Sequence, residues 1–185
     1  MRSFIAINPG EDTGRALCAL QSRLPAGRPV PGHNLHLTLA FLDDQPEERL
    51  EELHYELEQI EASCFEVQPA GLGWFGRSTP NLIYADLEPS PALQDLHARV
   101  VRAVHVVGIQ TKLSRFRPHI TLARMRQHPN ASEVRDILEF FETGPEFRAP
   151  PFLVERFGLY QSTLMPTGAV HDELASYELN RLAYG

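Results

Sequence analysis

The chain has 185 residues, 43% hydrophobic and 22% charged, the balance of an ordinary globular protein with a core of its own. Its net charge of −7 argues against a protein that coats nucleic acid with its whole surface. Two cysteines, Cys18 and Cys64, without CxxC spacing, exclude a disulfide framework and a cysteine zinc site. No apolar run approaches the ~20 residues of a membrane span, and the start MRSFIAINPG lacks the pattern of a signal peptide. A cytoplasmic location is expected.

In chain order, the alternation in Ser3-Phe4-Ile5-Ala6-Ile7 predicts a strand, stopped by Asn8-Pro9-Gly10. A helix from about Asp12 follows, with Ala16, Leu17, Leu20 and Leu24 at helical spacing, and Pro25 to Asn34 reads as loop. Leu35 to Phe41 is a predicted strand. Asp43-Asp44-Gln45-Pro46 opens the next helix, whose stripe is Leu50, Leu53, Leu57 and Ile60. Phe65 to Phe75 and Leu82 to Leu87 are β-like, and Ser90-Pro91 starts a helix that buries Leu93, Leu96, Val100, Val104 and Val107. A strand from Pro118 to Ala123, a helix from Ser132 to Thr143, and strands near Phe152 to Gln161 and Leu174 to Leu182 complete the chain. Several strand pairs lack a helical crossover, which favours an α+β fold with largely antiparallel sheets.

One unit occurs twice. His36-Leu37-Thr38-Leu39-Ala40-Phe41 and His119-Ile120-Thr121-Leu122-Ala123-Arg124 lie 83 residues apart, and each precedes a turn and a helix. Two similar lobes facing one another are expected, within a single domain over 1–185. Strict alternation puts His36, Thr38 and Ala40 on one strand face and Leu37, Leu39 and Phe41 on the other. His119, Thr121 and Ala123 likewise oppose Ile120, Leu122 and Arg124. The leucine faces want a core, and the His/Thr faces want water or a ligand.

Opening a phosphodiester without a metal requires one group to take a proton, another to give one, and donors that steady the charge on phosphorus. Imidazole, with an unperturbed pKa of roughly 6.5, suits both proton roles. Threonine hydroxyls can donate to the non-bridging oxygens. Two histidines with Asp43 or Asp172 are the rival reading, a zinc site, but no HExxH or HxH spacing supports it and threonine is a poor zinc ligand. Charge is also uneven: Lys112, Arg115, Arg117, Arg124 and Arg126 give +5 between residues 112 and 126, leaving −12 elsewhere. That pattern fits a local anionic ligand better than a duplex.

At these residues the chain resembles the two-histidine (2H) phosphoesterase superfamily, and within it the bacterial 2′-5′ RNA ligase-like branch of RNA 2′,3′-cyclic phosphodiesterases. The resemblance runs through Phe4 to Ile7, Asn34 to Leu42, Arg117 to Arg124 and Phe157 to Ser162, departing at Asp43, where relatives often carry glycine. It implies a bilobed α+β fold with two antiparallel sheets flanking a cleft. It also implies hydrolysis of a terminal 2′,3′-cyclic phosphate to a 2′-phosphate, without metal or cofactor, by a chain expected to be monomeric. Some such relatives join tRNA half-molecules reversibly through a 2′-5′ linkage. His36 and His119 are the candidate catalytic pair, their acid and base roles interchangeable at this point. Thr38, Thr121, Arg117, Arg124 and Phe41 are candidate substrate contacts, with Phe4, Trp74 and Tyr160 as further base platforms and His33 and His171 as outlying cleft residues. A small cyclic nucleotide as substrate, and a non-catalytic RNA-end binder, are the alternatives.

Overall fold

In a computed structural model, residues 1–111, 115–144, 146–166 and 168–181 are described. Lys112 of the basic segment and Leu182 of the last predicted strand lie outside them.

Strand β1 (Arg2–Ile7) leads into helix α1 (Glu11–Gln21), which buries Leu17 and Leu20. The predicted loop contains a two-residue strand, β2 (Arg28–Pro29), and a 3-10 turn over Gly32–Asn34. Strand β3 (Leu37–Asp44) begins two residues later than predicted, because the 3-10 turn occupies the chain up to Leu35, so His36 stands at the mouth of the strand. Helix α2 (Glu47–Glu58) buries the predicted Leu50, Leu53 and Leu57. The first β-like stretch divides into β4 (Phe65–Val67) and β5 (Pro69–Gly76), followed by β6 (Pro80–Leu87). Helix α3 (Pro91–Val106) starts where Ser90 Oγ accepts from the Leu93 N–H, and the five predicted residues Leu93, Leu96, Val100, Val104 and Val107 are all buried. Strand β7 (His119–Arg124) precedes α4 (Ala131–Thr143), entered through a reciprocal Asn130–Glu133 cap. The expected strand from Phe152 is two: β8 (Phe152–Val154), which pairs with β4, and β9 (Arg156–Met165). Strand β10 (Gly168–Glu178) starts before the predicted Leu174 and forms a long hairpin with β9.

The main sheet runs β10-β9-β1-β3-β7-β6-β5, with β2 beside β7, and among the described residues its strand pairings are antiparallel. Its two halves, β10-β9-β1-β3 and β7-β6-β5, meet through one register pair, Leu37 opposite Ile120. Leu37 and Ile120 are fully buried, and the same apolar cluster takes Ile5, Leu39 and Leu42 from one half and Ala85 and Leu122 from the other. Asp43, where relatives often carry glycine, is the one non-glycine with positive φ (55°) among the described residues. It lies within β3, opposite Ser3 and beside a register shift, and aspartate tolerates the left-handed region better than most side chains. Among the described residues no helix is long and apolar enough to cross a membrane.

Candidate active site

The single β3–β7 pair dictates the site. With Leu37 opposite Ile120 in antiparallel register, position 36 stands across from 121 and position 38 across from 119. Leu37 and Ile120 point into the core, so side chains on either side of them point the other way. His36, Thr38, His119 and Thr121 therefore share one face, each histidine across from the threonine of the other strand. The sequence repeat becomes a local two-fold arrangement about the Leu37–Ile120 pair.

Both imidazoles are held in the same manner. His36 Nδ1–H donates to the Asn34 carbonyl at 2.6 Å, and His119 Nδ1–H donates to the Arg117 carbonyl at 2.7 Å. A carbonyl only accepts, so each Nδ1 carries the hydrogen and each Nε2 keeps the lone pair that can take or return a proton. Aromatic rings back both. Phe4 lies 4.8 Å from the His36 ring, centroid to centroid, and is stacked in turn by Tyr160 at 5.4 Å. Tyr84 and Phe75 lie 5.2 and 4.9 Å from the His119 ring and 4.5 Å from each other. Gly73 makes this packing possible, because a Cβ there would fall 2.4 Å from the Tyr84 ring.

Two expectations of strict alternation fail, and both failures have one cause. Along β1–β3 the register passes from Ile5–Ala40 to Ala6–Thr38, leaving Leu39 as an extra residue. Along β6–β7 it passes from Ile83–Ala123 to Tyr84–Thr121, leaving Leu122 extra. A bulge exchanges the faces of everything beyond it. Ala40 and Ala123, expected beside the histidines, are buried instead. Phe41 and Arg124, expected on the far side, are turned outward: Phe41 is 60% exposed and lines a cavity with Thr38 and His119. Arg124 is exposed and close enough to His36, His119 and His171 to oppose a positive charge on each. The two bulges occupy the same place in the two repeats.

Arg117 also reaches the cleft. Its guanidinium donates to Tyr84 Oη at 3.2 Å and lies 5.1 Å from the Phe75 ring centre. The cavity, about 570 Å³, runs from Thr38, Phe41 and His119 past Phe75 and Arg117. Of the other candidates, Phe4 is buried and stacked, which leaves it no open face as a base platform. On β5 it is Phe75, the residue after Trp74, whose ring meets His119. His171 is in the cleft, its ring 5.2 Å from His36 and edge-on to Phe4 at 4.8 Å. The Asn34 side-chain amide, donating to the Ala169 carbonyl at 2.7 Å, ties this part of β10 to the turn before His36. Tyr84, Phe75 and Asn34 were not among the expected site residues; the polar residue two before His36 was a signal for Asn34, whereas Tyr84 and Phe75 meet His119 only through strand pairing. Among the described residues, no three His, Cys, Asp or Glu side chains group closely enough to hold a metal ion.

Electrostatics separates the two histidines. Burial pushes the His36 pKa down to about 4; its bond to the Asn34 carbonyl opposes this, while His171, Arg124 and His119 add to it. His119 is also lowered, chiefly by burial, with Arg117 and Arg124 lowering it further and Asp86 favouring its charged form. An imidazole with an ordinary value near 6.5 when unfolded and about 4 when folded binds its proton more readily in the unfolded chain. His36 therefore costs no stability above about pH 6.5 and subtracts from it as pH falls from there towards 4. A side-chain NMR titration is expected to place the His36 midpoint near 4; a midpoint near 6.5 would contradict the burial of its ring.

Comparison with known proteins gives a consistent result. The family model for the 2′-5′ RNA ligase superfamily matches residues 10–164. A protein of Thermus thermophilus named RNA 2′,3′-cyclic phosphodiesterase is 34% identical over 97% of this chain and 90% of its own. One of the same name from Thermotoga maritima is 28% identical over 94% and 93%. Among solved structures, TT0787 of Thermus thermophilus superposes with a TM-score of 0.80 at 31% identity, covering 98% of this chain and 100% of that one. LigT of E. coli complexed with 3′-AMP gives 0.77 at 25%, with 97% of each chain covered.

Proposed function

The chain belongs to the 2′-5′ RNA ligase superfamily, and on that premise we propose that it hydrolyses a 2′,3′-cyclic phosphate at an RNA end to a 2′-phosphate, using His36 and His119 as a metal-free acid–base pair. The observation that carries this reading is the reciprocal His/Thr placement about Leu37–Ile120. Relatives named RNA 2′,3′-cyclic phosphodiesterase, similar over most of both chains, support the substrate class.

The chemistry balances with these groups alone. One neutral Nε2 takes a proton from water as the water oxygen bonds to phosphorus. The P–O3′ bond breaks in line, and the second imidazole, entering as imidazolium, gives its proton to O3′. Each histidine ends in the protonation state the other began with, and exchange with solvent resets the pair. Thr38 and Thr121 donate hydrogen bonds to the non-bridging oxygens, and Arg124, brought to the face of the histidines by its bulge, neutralises the charge that grows on them. Phe41 offers an open ring face for the terminal base, and Arg117 adds a positive charge on the His119 side. With an RNA 5′-hydroxyl in place of water, the same transfers join two RNA ends, as in tRNA halves, through a 2′-5′ linkage. The two lobes act as one unit over 1–185, because the cleft needs a strand from each.

A short RNA ending in a 2′,3′-cyclic phosphate tests the reading directly. The expected product carries its phosphate on O2′; a 3′-phosphate would mean that O2′ leaves and that the assigned geometry is wrong.

A further inference from the structure

The cavity does not stop at the catalytic face. Beyond Phe41 and Arg117 it continues over His97, Val101 and His105 of α3 and ends at Thr111, Arg115 and Phe116. His97, Val101 and His105 recur every four residues, so they share one helix face about 12 Å long at ~1.5 Å per residue. The helix buries a different set, including Leu96, Val100 and Val104, and this face is left over. The Phe116 ring lies flat on His97, 3.7 Å between centroids and 6° between planes, and His105 Nε2 is bonded to Thr111 Oγ1 at 2.9 Å. Arg115 is exposed at the rim, and Asp43 is the one carboxylate among the described lining residues.

The other end of the sheet has the opposite character. A cavity of about 410 Å³ beside Tyr160 is lined by Glu155, Glu173, Glu178 and Arg156, with Arg156 paired to Glu173 and Arg181 to Glu155. A polyanion leaving the catalytic face meets three carboxylates against two guanidiniums on that side, and Arg115 and Arg117 against the single carboxylate Asp43 on the α3 side, so the balance of charge draws it along α3.

We propose that the RNA strand leading to the cyclic phosphate runs along this face of α3, which forms a subsite for the phosphodiester and base on the 5′ side of the terminal nucleotide. The His97–Phe116 pair supplies a flat surface for a base and Arg115 meets the phosphate, the combination by which proteins hold single strands. The subsite rests on the RNA reading above and makes this chain an enzyme of oligonucleotide ends rather than of free cyclic nucleotides.

Two readouts separate the subsite from the reaction. The affinity of a trinucleotide ending in a 2′-phosphate, measured by fluorescence anisotropy, is expected to exceed that of the matching mononucleotide by about tenfold, whatever the outcome of turnover assays. Arg115→Gln is expected to remove most of that advantage, leave the mononucleotide within about twofold, and flatten the salt dependence of trinucleotide binding by a log–log slope of about 0.7. Arg115→Lys, which keeps the charge, retains the slope. Equal affinity of the wild-type chain for the two ligands, or an Arg115→Gln variant that weakens both alike, overturns the subsite. Failure of the wild type to open either cyclic substrate overturns the hydrolytic reading and leaves the affinity ratio to decide the subsite.

Discussion

Alanine at either His36 or His119 is expected to lower kcat for cyclic-phosphate hydrolysis by about 10³-fold, within the range that positioned acid–base groups contribute. Affinity for a 2′-phosphate-ended RNA should change only a few fold, because Thr38, Thr121, Arg117 and Arg124 remain. The two losses should not multiply. A base without its acid, or an acid without its base, leaves the proton inventory broken in the same step, so the double variant should be little slower than the worse single one. Both rings sit on aromatic backing, so each variant also needs a folding check, and glutamine at either position keeps more of the volume. A variant that retains near wild-type kcat would remove that histidine from the chemistry. Absence of turnover by the wild type, with affinity for the RNA end retained, would instead favour a non-catalytic RNA-end binder.

Arg124→Gln is expected to cost about 10²-fold in kcat/KM, the loss typical of one aimed donor to a developing oxyanion. The same variant has a signature that a purely structural residue lacks. Arg124 opposes a proton on His36, His119 and His171. Removing its charge should therefore raise the titration midpoints of all three, moving His36 upward from about 4. Arg124→Lys should keep the midpoints low and recover only part of the rate, because an ammonium lacks the planar fork with which a guanidinium can hold two phosphate oxygens at once. Unchanged midpoints in Arg124→Gln would place the guanidinium outside the cleft.

The helices, the paired motifs and the antiparallel α+β plan were legible in the sequence because each depends on local periodicity. Leu50, Leu53 and Leu57 are buried at helical spacing, and Ser90 caps α3. What sits next to what across strands was less legible. Strict alternation put Phe41 and Arg124 away from the histidines, yet an extra residue between each motif's threonine and its end, Leu39 in β3 and Leu122 in β7, reversed both. A bulge is a matter of register between two strands, and one strand alone carries no mark of it. Tyr84 and Phe75 reach His119 because β6 and β5 are its neighbours in the sheet. His171 reaches His36 because β10 lies on β9 and the Asn34 amide holds it there. The same limit explains the division of β8 from β9, since β8 finds its partner in β4, far back in the chain.

The central claim is that two imidazoles, each fixed by a carbonyl on Nδ1 and facing the other's threonine, open the cyclic phosphate without help from a metal ion. The measurement that tests it most directly is the initial rate on a 2′,3′-cyclic-phosphate oligonucleotide after exhaustive treatment with EDTA and in its continued presence. The expected result is a rate equal to that of untreated protein, with the phosphate retained on O2′. Activity that disappears with the chelator and returns with a divalent cation would contradict it.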